Sequence, residues 1–230
     1  MDAGEPSRQR FDGTDLAGAV FRDVDLSGAT ITGLISGLTI NEVEVEPLIT
    51  AELDRRHPER ILLRSDDPDD LRQGWSLVRD QWTATIHRVE QLPPSLQRQR
   101  VDGEWSVLET LRHLVFVADD WFGRTVLAEP DPYWRAGLVP TFLVEFQPDG
   151  IDPSEDPDLA EILDRFDARV AQLDQFLSGL TADELVRECP ASLSLGESTP
   201  VTVLTCVQMV LDEFAAHRRY AERDINTIAQ

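Results

Sequence analysis

The sequence predicts a mainly α protein, a four-helix bundle preceded by a small N-terminal β-like segment. Four long stretches between residues 69 and 226 repeat apolar residues every three or four positions, the period of an amphipathic helix. Polar or Pro-rich connections separate them, one of them long. The first forty residues follow neither the helix period nor the strand period.

Composition limits what such a protein can bind. The chain has 230 residues, 41% of them hydrophobic, enough for one large domain or a domain with a small appendage. All 21 basic residues are Arg, against 43 Asp and Glu, a formal net charge of -22. Such a surface repels nucleic acid and anionic membranes. The N-terminus has no apolar core of the signal-peptide kind, and no apolar run reaches bilayer-spanning length. The expectation is a soluble cytoplasmic protein, and the charge does not by itself identify a partner. Cys189 and Cys206 match no zinc spacing and read as small buried hydrophobes.

Along residues 11–40, Phe11, Leu16, Phe21, Leu26 and Ile31 recur every five positions, with Ala, Gly, Ser, Asp and Thr between them. A five-residue apolar repeat suits a square coil in which each pentad is one side and the large residue points inward. DLAGA, FRDVD and DLSGA give this stretch its resemblance to pentapeptide repeats. About one and a half coils are too few to stand alone, which points to packing on the main domain or on a second copy. Residues 37–49 alternate apolar and acidic residues as a strand does. Pro47 opens a short helix to Arg56. The polar stretch 64–70 is a linker, placing the boundary near residue 65: a segment of 1–64 and a bundle of 65–230.

The first bundle helix covers 69–92, with Leu71, Trp75, Val78, Trp82, Ile86 and Val89 on its apolar face, and ends at Pro93-Pro94. The second covers 106–128, opened by a capping box of Ser106 and Glu109. The Pro-rich, aromatic connection 129–157 is long enough to line or cover a pocket. The third helix covers 158–180. TADEL (181–185) reads as a capped turn and 188–200 as a loop. The fourth helix starts near Thr199-Pro200, with Pro at its first position, and runs towards Asn226.

Ligand sites in helical bundles are built from inward side chains of facing helices. Glu213 and His217, four residues apart, share one helix face. His113 sits in LRHLVFV, where a polar side chain is buried and needs a partner. These three are the candidate metal ligands. A buried Glu is costly unless paired or bound to a cation, and two imidazoles and a carboxylate satisfy one another through a divalent ion. His57 reads as solvated and His87 as surface.

From 69 to 226 the chain resembles the DinB/YfiT-like superfamily of four-helix bundles. Trp105-Ser-Val-Leu-Glu109-Thr-Leu-Arg-His113 resembles that family's second-helix motif, which ends on a metal-binding His. Asp212-Glu213-Phe-Ala-Ala-His217-Arg-Arg-Tyr220 resembles its last-helix pair, usually His-xxx-His. Glu213 departs from that pattern, although some branches, among them mycothiol-dependent maleylpyruvate isomerases, carry Glu there. The resemblance implies a metal-dependent enzyme holding a divalent ion through His113, Glu213 and His217. Zinc is the first expectation, with nickel and iron as alternatives. It further implies a transferase or isomerase using a low-molecular-weight thiol on a small electrophile, in a protein that is often a homodimer. Asp120 is the expected hydrogen-bond partner behind the ligands. Trp105 and Trp121 read as core, Tyr133 and Trp134 as lining of the mouth. Arg218 and Arg219 read as a solvated basic end, with carboxylate binding as the alternative. The competing function is a non-enzymatic binding or oligomerisation module; a third is hydrolysis by a metal-bound water.

Overall fold

The computed structural model describes residues 9–11, 13–140, 147–190 and 200–229. The chain divides into two compact units, Met1–Leu48 and Ile49–Gln230. The short helices near residues 50 and 60 therefore group with the larger unit, on the other side of the division from where the polar stretch 64–70 suggests a boundary.

In the smaller unit the five-residue period is written in the backbone. Gly13, Gly18, Asp23, Gly28 and Gly33 all have positive φ, between 53° and 143°. Glycine adopts this conformation freely and Asp tolerates it. The turns repeat with them: the amides of Ala17 and Ser27 donate to Asp15 and Asp25 Oδ1, each at 2.9 Å. The amides of Ala19 and Ala29 reach the carbonyls of Leu16 and Leu26 at 3.0 Å. The large side chains do not follow the inward expectation. Phe11, Leu16, Phe21, Leu26 and Ile31 are 44–61% exposed, because so short a stretch cannot close a core around them. The alternating segment that follows is a hairpin rather than one strand: β1 (Thr39–Ile40) pairs antiparallel with β2 (Val43–Glu44). Asn41 and Glu42 both take positive φ at the turn, the requirement of a tight primed hairpin turn.

Helix α1 (Glu46–Arg56) leads into the larger unit, which continues with α2 (Glu59–Leu63), α3 (Pro68–Glu90), α4 (Pro94–Gln97) and α5 (Val107–Val117). A π-helix (Ala118–Val126) continues α5 directly. Then come α6 (Leu159–Ser178), α7 (Ala182–Leu185), β3 (Glu188–Cys189), β4 (Val201–Thr202) and α8 (Val203–Ile228). α3 packs on α8 and α6, and α5 packs on the same two helices. Gly74 lets α2 lie close on α3, since a Cβ there would sit 2.8 Å from Leu63 Cδ2. No helix among the described residues is long and apolar enough to cross a membrane.

The local chemistry explains the starts. Asp67 caps α3, with Pro68 at its first position. Asp158 caps α6, and Thr181 caps α7. α8 begins at Val203 rather than near Pro200, because Val201 and Thr202 pair with Cys189 and Glu188 and the Thr202 side chain accepts from the Thr205 amide. The loop expected at 188–200 lies in part outside the described residues; its ends form this small ladder.

Four aromatic side chains set the rotation of α8. Trp75 and Phe166 pack on the Phe214 ring at centroid distances of 5.3 and 5.4 Å, and Trp82 meets Phe166 at 5.6 Å. Trp82 Nε1 donates to the Phe214 carbonyl at 2.9 Å. With Phe214 fully buried, its neighbour Glu213 and the residue one turn on, His217, turn onto the face towards α5.

Candidate metal centre

The capping box puts His113 in place. The Ser106 side chain accepts from the Glu109 amide, and the Glu109 carboxylate accepts from the Ser106 amide at 2.8 Å. This fixes where the chain enters α5 and sets Trp105, just before the cap, with its ring 4.7 Å from the His113 ring and 6.5 Å from that of His217. In Trp-xxx-Glu-xxx-His the Glu thus builds the cap and the Trp walls the imidazoles. Trp105 borders the centre instead of filling the core, whereas Trp121 is core, 5% exposed.

His113, Glu213 and His217 come together as their spacing and the resemblance suggest. One ligand atom from each lies within 4.8 Å of the other two. Glu213 Oε2 is 3.5 Å from His113 Nε2 and 3.1 Å from His217 Nδ1. Two ligands each 2.0–2.2 Å from a tetrahedral ion stand about 3.4 Å apart, so the spacing of Glu213 and His113 fits a shared divalent ion. His217 Nδ1 is also 3.1 Å from the Glu213 carbonyl oxygen, which takes its proton, so His217 would ligate through Nε2. The donor set, two imidazoles and a carboxylate, suits zinc and several other first-row ions.

Hydrogen bonding assigns the His113 nitrogens. Nδ1 is 3.0 Å from the Leu138 carbonyl oxygen. A carbonyl only accepts, so Nδ1 carries the proton and the neutral ring turns the bare lone pair of Nε2 towards the Glu213 carboxylate. Two acceptors 3.5 Å apart repel unless a cation stands between them. Burial pulls the His113 imidazole below its usual pKa, against the opposing pull of Glu213, which disfavours a proton in that role. Burial pushes the Glu213 carboxyl up, but N–H donation from His113 and His217, once the imidazoles carry protons on the nitrogens facing it, outweighs burial and holds the group at about 2. The neutral Nδ1–H form of His113 gives it no such bond. Among the described residues the ion-pair partners of Glu213 are these two imidazoles and no arginine.

The other candidates fall elsewhere. The carbonyl of Leu138 backs His113, a role the sequence suggested for Asp120. Asp120 is fully buried and accepts from the Tyr133 hydroxyl at 2.9 Å. Tyr133 stacks on Phe116, and Phe116 borders His113 at 6.4 Å. Trp134 is buried rather than lining a mouth. Arg218 and Arg219 are half-buried rather than solvated, and Arg219 Nη1 donates to the Ala215 carbonyl of its own helix. His87 is exposed as expected, its side chain 75% accessible, and His57 is more covered, 28%. Both cysteines are buried and free.

One arrangement near the centre went unnoticed in the sequence. Asp119, in the π-helix, accepts from Arg169 Nε of α6 at 2.6 Å and from the Trp134 amide at 2.9 Å. Burial pushes the Asp119 carboxyl up to about 6, with Arg169 and the Trp134 amide pulling the other way. Two adjacent Asp in the apolar run VFVADDWF were a signal, since a carboxylate there needs a cation or donors of its own.

A protein-family model described as the DinB superfamily matches residues 77–221, a range that includes all three triad residues. No curated protein and no solved structure matches at a significant level.

Proposed function

The chain belongs to the DinB superfamily, and from that membership and the triad we propose that it is a metal-dependent enzyme holding one divalent ion through His113, Glu213 and His217. The observation that carries this is the bare Nε2 of His113 turned on a carboxylate 3.5 Å away. His113 is buried and Glu213 half-buried, and such a pair of acceptors is stable with a cation between them. One anionic and two neutral ligands leave a divalent ion net positive. The chemistry is the transfer or isomerisation of a small electrophile through a low-molecular-weight thiol. A bound divalent ion would lower the pKa of such a thiol, making thiolate available at neutral pH. Glu213, as a ligand, is not also a free base. The protein's own work is to hold the three ligands and to wall the imidazoles with Trp105 and Phe116.

The test loads the purified protein with zinc and titrates a small thiol while thiolate absorbance is followed. The reading predicts a thiolate fraction at neutral pH that rises with loaded protein and is absent with His113→Ala. No rise with fully loaded protein would rule out thiol activation. A second reading, a binding or oligomerisation module, draws support from the exposed Phe11, Phe21, Leu26 and Ile31 of the smaller unit. It predicts concentration-dependent self-association that is lost when residues 1–48 are deleted.

A further inference from the structure

The connection from Pro132 to Val139 is a strap tied to groups of the helical core at five of its eight residues. Arg169 Nη2 donates to the Pro132 carbonyl at 3.0 Å. The Tyr133 hydroxyl donates to Asp120, and the Trp134 amide to Asp119. Arg112 Nε donates to the Ala136 carbonyl at 2.7 Å, and the Leu138 amide reaches the Arg112 carbonyl at 3.3 Å. Trp134 and Ala136 are themselves part of the main apolar core. At the end of the strap, the Leu138 carbonyl meets His113 Nδ1.

The anchoring is costly to build. Asp119 is 2% and Arg169 9% exposed, and removing two charges from water is repaid only by close, well-oriented pairing. The pairing is close on every side. Arg169 reaches Asp119 with Nε, Glu129 at 2.9 Å with Nη2, and Gln172 at 2.6 Å with Nη1. Gly123 makes room for it, since a Cβ there would stand 3.0 Å from Arg169 Nη2 and from Glu129 Oε2. The π-helix contributes too. Its wider turn is seen in the Leu127 amide reaching the Phe122 carbonyl, five residues back, and it presents consecutive residues, Asp119 and Asp120, to one strap. Burying this ion pair secures the position of a loop that supplies one carbonyl to one imidazole.

We propose that Asp119 and Arg169 are positioning residues of the metal centre: by clamping the 132–139 strap they hold the Leu138 carbonyl on His113 Nδ1 and so keep the Nε2 lone pair directed at Glu213 and the ion. Without the clamp the ring is free to carry its proton on Nε2, where it would hydrogen-bond Glu213 and close the site to metal. The inference rests on the metal reading for its consequence, not for its geometry, which concerns the metal-free protein.

The experiment has two readouts. The first is the His113 tautomer, from imidazole nitrogen shifts of the metal-free protein by NMR. The second is zinc affinity by competition with a chromophoric chelator. The double variant Asp119→Leu/Arg169→Met removes both charges together and leaves no unpaired ion in the core. It should shift His113 from the Nδ1–H form towards Nε2–H and weaken zinc binding about 10- to 100-fold, the usual cost of losing a group behind a ligand. Asp119→Asn, which still accepts from the Trp134 amide, should restore the Nδ1–H form and most of the affinity; a merely structural role gives no such order. If the double variant does not fold, Arg169→Lys is read the same way, since it keeps a cation beside Asp119 but loses the fork to Pro132. A tautomer and an affinity unchanged in the variants overturn the proposal. Should the wild-type protein bind no zinc while the tautomer still shifts in the variants, the positioning role stands and the metal reading fails.

Discussion

Glu213 and Asp119 are two carboxylates enclosed by the same set of helices, yet they are held at different acidities, about 2 for Glu213 and about 6 for Asp119. The difference lies in what each faces. Asp119 has its own permanent cation, Arg169, and a backbone amide, and it is so deeply buried that desolvation still dominates. Glu213 is more accessible and faces two imidazoles, one of which presents a bare nitrogen. A buried carboxylate with a built-in countercharge is part of the scaffold. One whose partners are ligand-type groups is what the proposed ion would complete.

That contrast predicts unequal responses to substitution. The largest effect belongs to the ligands: Glu213→Gln and His113→Ala should each weaken zinc binding by more than about 100-fold, beyond the cost of losing an outer group, with the helical signal in circular dichroism retained. Similar zinc affinity in Glu213→Gln would erase the distinction. Next comes the scaffold pair. Arg169→Met strands Asp119 in the core and should cost about 3 kcal/mol in urea unfolding. Adding Asp119→Leu should recover most of that, because the second substitution removes the unpaired charge. A double variant no more stable than Arg169→Met would mean that the pair is not what Arg169 contributes.

The two carboxylates also pull the pH dependence of stability in opposite directions. Glu213 is depressed from 4.5 to about 2 in the folded state. Its contribution is fully present above pH 4.5 and is lost as pH falls towards 2. Asp119 is raised from 3.8 to about 6. Its contribution is present below pH 3.8 and is lost as pH rises to 6. Urea midpoints of the metal-free protein across pH 2–7 should lose the first limb in Glu213→Gln and the second in Asp119→Asn. The smallest effect lies outside both groups: Ser106→Ala removes the cap of α5 and should cost about 1 kcal/mol, measured by thermal melting.

The sequence carried the helices because their period and their caps are local. Ser106 with Glu109, and Thr181 before ADEL, are legible within four residues. The triad was legible for a related reason: Glu213 and His217 are one turn apart, and His113 stood out as a polar residue in an apolar run. What stayed hidden is long-range. Asp119 finds Arg169 fifty positions away, and the group behind His113 is the backbone carbonyl of Leu138, whose residue type says nothing about it. The π-helix was hidden as well, since the periodicity of 106–128 reads as one α-helix. In the smaller unit the five-residue period was legible as turns, but burial of its large residues was not, because it depends on how much chain encloses them.

The most direct test of the account is the zinc content of the protein after exhaustive dialysis against a zinc buffer, measured by atomic emission on wild type and Glu213→Gln. One ion per wild-type chain and a substoichiometric trace in the variant are expected. No ion in the wild type, or an equal content in both, would contradict it.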